Sequence, residues 1–333
     1  MPRLTIAILT YNRADLVGRA IESALAQSYA DIEILVSNNA STDSTPSVLA
    51  RYSDPRLRTF RHESTMPVPR HGQFLIEQAR GEFILGLSDD DFLEPDFVAE
   101  VLAAFDRNPE AAFVYTGCAV HYEDIQVPAL VGPPLESGED FLANHYAGRR
   151  EICWCATVTR VRDLLKYGPQ PEDRILGDMF YWTKIAFLGP VACVPHILSH
   201  YILLRTSNDN VSHGTSPILW ASEARLMVDE ILAASRKAGA SPQYLSNLES
   251  EARRHIARSA ANQFVWTRIR GARLSDALKW SIECWPYLAL TWPVVSRMGV
   301  ALLVPPTMLK SALLKSASRL AASRSDTQRN SNC

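Results

Sequence analysis

Short apolar runs that alternate with helical segments constrain the fold more than any other feature of the first 118 residues. Five runs have the length and the aliphatic character of buried strands, and most are separated by segments with helical spacing. They are Leu4–Thr10, Ile32–Val36, Leu57–Phe60, Phe83–Leu87 and Ala112–Tyr115. The alternation predicts an α/β fold with a mostly parallel sheet flanked by helices.

Polar clusters follow three of the predicted strands, at residues 10–13, 37–43 and 88–91. The carboxyl ends of parallel strands meet at one edge of a sheet, and open α/β sheets bind their ligands beyond that edge. We therefore expect the three clusters to form one binding site.

The third cluster contains three adjacent carboxylates, Asp89, Asp90 and Asp91. They repel one another, so a fold that holds them at a strand end benefits from a cation. Mg²⁺ and Mn²⁺ prefer oxygen ligands and bind through one or two carboxylates together with substrate phosphates. The residues alone leave open a second interpretation, in which the triplet only caps the following helix.

Composition excludes some classes of protein. Of 333 residues, 47% are hydrophobic and 21% are charged, which is typical of a folded domain. The net charge is −2, and without a basic excess we expect no nucleic-acid partner. Six scattered cysteines are interpreted as structural thiols, and the first apolar run is too short for a signal peptide. Both features favour a cytoplasmic protein.

The order of the motifs carries a resemblance to a known family. Thr-Tyr-Asn-Arg follows the first strand, Asn-Asn-Ala-Ser-Thr-Asp follows the second, and Ala79-Arg80-Gly81-Glu82-Phe83-Ile84 leads into the acidic triplet. This order resembles family 2 glycosyltransferases, densely over residues 3–118 and more thinly over 150–215. The resemblance implies a GT-A fold, in which a nucleotide-binding α/β sheet is fused to an acceptor-binding half.

The resemblance also assigns residues to the donor, a nucleoside-diphosphate sugar. Asn38 and Asn39 stand where many members have two acidic residues that recognise the base and ribose, and the amides change the donor and acceptor pattern. Asp90 matches the metal-binding aspartate, with Asp89 and Asp91 as supports, and Mn²⁺ or Mg²⁺ is the implied cofactor. The remaining donor-binding candidates are Thr10, Tyr11, Asn12, Arg70, Asp89 and Arg205.

An inverting transfer needs a base that takes the proton from the attacking hydroxyl. The segment that begins Gly177-Asp178-Met179 resembles the family segment that carries this base, which favours Asp178. An N-cap role for Asp178 is compatible with this assignment. In a different register Asp173, which follows Glu172, would be the base. Trp154, Trp182 and Tyr201 suggest an aromatic acceptor cleft, while His200 and His213 are alternatives for a phosphate or metal contact.

The chain is predicted to divide into a catalytic domain at 1–215, with halves at 1–118 and 119–215, a helical region at 216–320 and a flexible tail at 321–333. From Arg297 onward the sequence contains six basic residues and one acidic residue, Asp326. Two interpretations stay open: an element held against the inner face of an anionic membrane, or packing onto the catalytic domain or a second copy.

The predicted function is transfer of a sugar to a hydroxyl of a glycan or lipid-linked acceptor. A nucleotidyltransferase is one alternative, but its glycine-rich loop is missing because residues 10–15 contain no glycine. A non-catalytic protein that binds nucleotide sugars is the other alternative, and the amides Asn38 and Asn39 keep it open.

Overall fold

The computed structural model describes residues 1–122, 125–172, 177–203, 217–237, 239–269 and 305–331. The first half alternates strands and helices, as the sequence predicts. Its elements are β1 (Leu4–Thr10), α1 (Val17–Leu25), β2 (Ile32–Asn38), α2 (Thr45–Leu49), β3 (Leu57–Arg61), α3 (Val68–Gln78), β4 (Phe83–Ser88), β5 (Phe92–Leu93), α4 (Phe97–Arg107) and β6 (Phe113–Tyr122).

The second half adds short strands and a set of longer helices. Its elements are β7 (Ile125–Pro128), β8 (Leu135–Glu136), α5 (Gly138–Tyr146), β9 (Thr157–Arg160), α6 (Val161–Tyr167), α7 (Gly177–Ile185), β10 (Val191–Leu203), α8 (Pro217–Lys237), α9 (Pro242–Ile269) and α10 (Pro306–Ser331). Strand β6 runs through the predicted boundary at residue 118, so the two halves share one sheet.

The sheet has the order β3-β2-β1-β4-β9-β6-β10-β5. Strands β1 to β4 pair in parallel, which confirms the α/β prediction. Beyond β4 the sheet is mixed, because the short strand β9 runs antiparallel to both β4 and β6. The sequence did not distinguish β9, since four residues are too few to establish a period.

Alternate residues of β1 pack into two different cores on the two faces of the sheet. Ile6 and Ile8 lie in one core with helices α1 and α4, while Ala7 lies in the other with α3 and α5. The central strands are therefore apolar on both faces, as expected for parallel strands covered by helices.

The parallel register brings the polar clusters together. Thr10 at the end of β1 pairs with Asn38 at the end of β2, and Leu9 pairs with Ser88 at the end of β4. The loops that follow these three strands consequently leave the sheet at one edge.

Helices α8 and α9 belong to the core of the catalytic half. Met227 and Ile231 of α8 and Ile256 of α9 are buried in one cluster with Phe141 and Tyr146 of α5. Each large apolar side chain buried in this way contributes about 1.5–3 kcal/mol. Helices α8 and α9 therefore share one hydrophobic core with α5.

Helix α10 packs against β7 and the loop before β9. Its Arg324 donates from Nη1 and Nη2 to the two carboxylate oxygens of Glu151, at 2.7 and 3.1 Å. The expected flexible tail from 321 instead continues this helix to Ser331, because no glycine or proline interrupts the chain after Pro306. Within the described parts of the chain, no helix combines the length and apolar character needed to cross a membrane. The apolar segment 285–304 lies outside the described residues.

Tight packing links β4 to the short helical turn that precedes β9. A Cβ atom placed on Gly86 would lie 2.2 Å from ring atoms of Trp154, so the indole rests directly on this glycine. By contrast, a Cβ atom on Gly72 in α3 would meet nothing within 4 Å.

We expect Gly86→Ala to lower the free energy of unfolding by about 1–3 kcal/mol, because the added methyl group forces Trp154 out of its position. Gly72→Ala is the matched control, and it should raise stability by up to about 1 kcal/mol through helix propensity. Urea unfolding of the three proteins measures both effects. Equal stability of Gly86→Ala and the wild type would contradict the described packing of Trp154.

A buried hydrogen-bonded group joins β2 to α3. The Ser37 hydroxyl lies 2.8 Å from Nε2 of His62 and 2.8 Å from Nε2 of His71. Burial, and then the neighbouring His62, lowers the pKa of His71 from 6.5 to about 4. His71 is therefore neutral in the folded protein at pH values at which it is protonated in the unfolded chain.

Stability should depend on pH through His71. The unfolded chain takes up a proton here below pH 6.5 and the folded protein does so only near pH 4, so this contribution is complete above pH 6.5 and is lost between pH 6.5 and 4. At most it amounts to about 3 kcal/mol. Denaturant unfolding measures the free energy of unfolding at pH 7 and at pH 4.5. The loss of this free energy between the two pH values should be smaller for His71→Gln than for the wild type. His196→Gln, at an exposed position, is the control and should lose as much unfolding free energy as the wild type does. An equal loss in His71→Gln would show that His71 is not the source of this pH dependence.

Candidate functional site

The loops after β1 and β2 are tied together by side-chain hydrogen bonds. The Asn12 N–H donates to Ser41 Oγ at 2.9 Å, and the Thr42 N–H donates to Asn12 Oδ1 at 2.8 Å. Asp43 accepts from the Ala14 N–H at 3.2 Å. Asn12 has a φ of 52°, a left-handed conformation that asparagine adopts more readily than most residues. Asn12 therefore holds the first loop against the second.

The two amides at the end of β2 also hold the backbone. Asn38 is buried, and its Oδ1 accepts from the Ser41 N–H at 2.8 Å. Asn39 exchanges two hydrogen bonds with the backbone of Met66, one from Nδ2 and one to Oδ1, both at 2.9 Å. Asn39 therefore positions the loop before α3 and Asn38 the loop after β2. Neither amide is among the described residues that line the cleft.

The acidic triplet divides into two buried carboxylates that line the cleft and one carboxylate that lies behind them. Asp89 and Asp90 line the cleft at the sheet edge. Asp91 is 0% exposed, and its Oδ1 accepts from the Ile202 N–H at 2.8 Å, which joins the triplet to β10. Arg19 donates to the backbone oxygen of Asp90 at 2.5 Å. Asp91 therefore supports its neighbours from within the fold, and its part in binding a metal stays a prediction.

The electrostatics of the triplet favour a bound cation. Burial, with a smaller contribution from the charge of Asp90, raises the pKa of Asp89 to about 7. Arg13 is the nearby cation, with Nε 3.9 Å from Asp89 Oδ1. Burial and then Asp90 also raise the pKa of Asp91 well above its ordinary value. Burial therefore disfavours the charged forms of Asp89 and Asp91, and a nearby cation would favour them.

The cleft has a volume of about 520 Å³ and lies between the sheet, α3 and α7. Two tryptophans, Trp154 and Trp182, form part of its wall, with ring centroids 6.3 Å apart. Tyr201 lines it from β10, so all three aromatic residues singled out in the sequence come together. Among the described residues that line the cleft, Asp89 and Asp90 are the charged ones.

Arg70 lies outside the cleft in this structure. It stands in the first turn of α3, which begins at Val68 with a proline in that turn. Its Nε donates to Glu172, and both side chains are largely exposed. The ion pair joins α3 to the segment before α7, next to Pro69 and Gln170, which line the cleft on those two sides.

Several predicted residues fall where the structure is not described. Asp173, Arg205 and His213 lie outside the described residues. Asp178 is the second residue of α7, and its side chain is not described. It precedes Trp182 by four residues, one helical turn, so the start of α7 lies one turn from the cleft wall.

His200 is part of a hydrogen-bonded group behind the triplet. Its Nε2 lies 2.8 Å from Glu94 Oε1 and its Nδ1 lies 2.9 Å from His121 Nε2. Its ring stacks on Phe92 at 4.2 Å. These contacts occupy both ring nitrogens, so His200 fixes β5 against β10 and does not serve as the phosphate or metal contact considered from the sequence.

Sequence reasoning missed Arg13 and Arg19, which approach the triplet from the first loop and from α1. The Arg13 N–H donates to Thr45 Oγ1 at 3.0 Å, and the Arg19 guanidinium lies 4.8 Å from the centre of the Phe92 ring. Arg13 belongs to the Thr-Tyr-Asn-Arg motif, so its position was an available signal. The position of Arg19 depends on the packing of α1 against β5.

Sequence comparison places this site in a known family. Residues 5–129 match the model of glycosyl transferase family 2. The succinoglycan biosynthesis protein ExoO of Rhizobium meliloti is 31% identical over 135 residues, which is 40% of this chain and 36% of that protein. The GalNAc(5)-diNAcBac-PP-undecaprenol beta-1,3-glucosyltransferase of Campylobacter jejuni is 31% identical over 156 residues, 44% of this chain and 50% of that protein. The chain thus spans half or less of these relatives.

Solved structures resemble a larger part of the chain. Staphylococcus aureus TarS 1-349 in complex with UDP-GlcNAc matches with a TM-score of 0.61 at 16% identity, covering 99% of this chain and 92% of that one. The mannosyltransferase PcManGT of Pyrobaculum calidifontis in complex with GDP-Man and Mn²⁺ matches with a TM-score of 0.55 at 18% identity, covering 93% and 86%. At these identities the likeness concerns the fold. The family model, the motifs and the fold agree: residues 5–129 of this chain match glycosyl transferase family 2, and the described structure resembles glycosyltransferases of the GT-A fold.

Proposed function

We propose that this chain transfers a sugar from a nucleoside-diphosphate sugar to an acceptor hydroxyl. The observation that carries the proposal is the placement of Asp89 and Asp90, two buried carboxylates, at the mouth of an aromatic-walled cleft. They lie at the edge of the sheet where the loops after β1 and β2 meet. A diphosphate bound there would have its sugar in the cleft.

The residues present fit a divalent cation. Across the described ranges, no three histidine, cysteine or carboxylate side chains converge to hold a metal by themselves. Two adjacent carboxylates suit Mg²⁺ or Mn²⁺, which complete their coordination with substrate phosphates and water. Asp90, supported by Asp89, would hold the ion, which when bound offsets the negative charge of the departing diphosphate. The Mn²⁺ complex of PcManGT supports this proposal.

The first loop is proposed to hold the nucleotide. Tyr11 is 47% exposed, and its ring offers a flat apolar surface to a base. Thr10 and Asn12 fix the loop from either side of this ring. Arg13, close to Asp89, is positioned to attract a phosphate oxygen, as an arginine guanidinium does at diphosphate sites. Arg205 stays a further candidate for that contact.

The chemical step needs a carboxylate at the acceptor side. We assign it to Asp178, with Asp173 as the alternative, because α7 carries Trp182 on the cleft wall. The carboxylate takes the proton of the acceptor hydroxyl while that oxygen bonds to the anomeric carbon and the nucleoside diphosphate leaves. Attack on the face opposite the leaving group inverts the configuration. Trp154 and Tyr201 offer apolar ring faces to the sugar rings.

The acceptor is proposed to be a growing glycan or a lipid-linked oligosaccharide. The names of ExoO and of the undecaprenol-linked glucosyltransferase support this class. A lipid-linked acceptor would favour peripheral contact of the C-terminal region with the inner face of a membrane. The competing function is binding of a nucleotide sugar without turnover. The amides Asn38 and Asn39 kept this alternative open, but both are buried and hold backbone groups, so they do not favour it.

Donor binding tests the proposal. In titration calorimetry with UDP-, GDP- and dTDP-sugars and Mn²⁺, we expect one donor to bind and the affinity to fall at least about tenfold, or about 1.4 kcal/mol, in Asp90→Asn. A chelator should have the same effect. Asp229→Asn, an exposed residue of α8, is the control and should bind as the wild type does. No binding by any donor would reject the proposed function.

The base is tested by turnover and binding together. Asp178→Asn should lower kcat by about 10²–10⁴-fold and leave donor affinity unchanged, because the carboxylate acts on the acceptor proton. Asp173→Asn is the matched control and should retain activity. A loss confined to Asp173→Asn would transfer the role to that residue, and full activity of both variants would show that neither is the base.

A further inference from the structure

Three cysteines meet behind the wall of the cleft. Cys118 lies in β6, while Cys153 and Cys155 flank Trp154 just before β9. Strands β6 and β9 pair antiparallel with Tyr115 opposite Thr157, so the segment that precedes β9 runs beside the segment that follows Tyr115. The Cys153 and Cys155 thiols beside it hold the pKa of Cys118 well below its ordinary value, and the Cys118 sulfur in turn raises the pKa of Cys153.

The three thiols differ in access. Cys118 is 1% exposed and Cys155 is 0% exposed, and both lie in the core beneath the sheet. Cys153 is partly exposed and lines the cleft together with Asp89 and Trp154. A small solute in the cleft can therefore reach Cys153, and Cys118 lies directly behind it.

We propose that Cys153 and Cys118 form an oxidant-responsive thiol pair, in which a peroxide that enters the cleft converts Cys153 and Cys118 to a disulfide. The inference concerns a modification site and goes beyond the proposed transfer reaction. All four cysteines in the described residues are free thiols.

The reaction balances with hydrogen peroxide as the oxidant. The Cys118 sulfur takes the proton of Cys153 while the Cys153 sulfur attacks one peroxide oxygen. The O–O bond breaks, and the departing hydroxide takes a proton from solvent to become water, which leaves a sulfenic acid at Cys153. The sulfur of Cys118 then attacks the sulfur of Cys153, the S–O bond breaks, and the second oxygen leaves as water with the proton of Cys118. Two thiols are oxidised and one peroxide is reduced to two waters.

Disulfide formation would reshape the cleft. An S–S bond of about 2.05 Å is much shorter than a contact between two thiols, so Cys153 must move toward β6. Trp154 follows Cys153 directly and rests on Gly86, and the backbone oxygen of Cys153 accepts from the Thr157 hydroxyl at 3.1 Å. The shift therefore reaches the aromatic wall. Transfer activity should fall on oxidation, which is the one consequence that rests on the proposed function.

Peptide mapping of the full-length chain tests the pairing. The chain is treated with hydrogen peroxide, alkylated in denaturant and cut with trypsin, which separates peptide 108–149, with Cys118, from peptide 151–160, with Cys153 and Cys155. We expect these two peptides to be linked with the loss of two hydrogen atoms, and dithiothreitol to separate them. The link should persist in Cys155→Ala and disappear in Cys153→Ala.

Two further variants make the outcome decisive. Cys118→Ala should accumulate sulfenic acid at Cys153, trapped by dimedone, because the second thiol is gone. Cys193→Ala, a buried cysteine in the other core, should behave as the wild type does. A link that survives Cys153→Ala, or Cys153 oxidised to sulfinic acid in the wild type with no link, would overturn the proposal.

Activity provides a separate readout. Peroxide should remove at least half of the transfer rate of the wild type, reversibly with dithiothreitol, and should spare Cys118→Ala. The peptide map does not depend on turnover. If the protein bound no donor, the proposed function would be rejected, but the map would still test the thiol pair. If the disulfide formed and the transfer rate did not fall, the proposed effect of the disulfide on the cleft would be overturned.

Discussion

The parallel pairing of β1 with β2 and β4 is the constraint on which the rest of the site depends. Its register ends the three strands together, with Thr10 beside Asn38 and Leu9 beside Ser88. Because β1 is apolar on both faces, a shift by one residue would exchange the side chains of two cores, and this fixes the register. The loops then need only short hydrogen bonds, such as those of Asn12, to form one surface.

The acidic triplet illustrates how burial assigns different tasks to adjacent identical side chains. Asp91 does not line the cleft, and its carboxylate accepts a hydrogen bond from the Ile202 N–H, which anchors β10. Asp89 and Asp90 are thereby held at the surface of the cleft, where burial and mutual repulsion raise the pKa of Asp89. Such an arrangement stores unfavourable electrostatic energy that a cation or a protonated group relieves.

Fold and site were predictable from the sequence to different degrees. The strands of the first half, the convergence of the polar clusters and the family were accessible, because hydrophobic runs and motif order are local properties. The antiparallel insertion of β9 was not, since four residues carry no periodic signal. The roles of Asn39, which holds Met66, and of Arg70, which pairs with Glu172, also depended on partners distant in sequence.

The sequence by itself determined an α/β sheet of the glycosyl transferase family 2 type with its carboxylates at the end of β4. Apolar runs specify strands and helices because their side chains are buried. The polar residues that follow the strands mark the edge of the sheet. Only the tertiary structure decided which carboxylates face the cleft and that Cys118 lies behind Cys153. Those relations arise where segments far apart in the chain pack together, and hydrogen bonds, burial and charge act there over distances of a few ångströms.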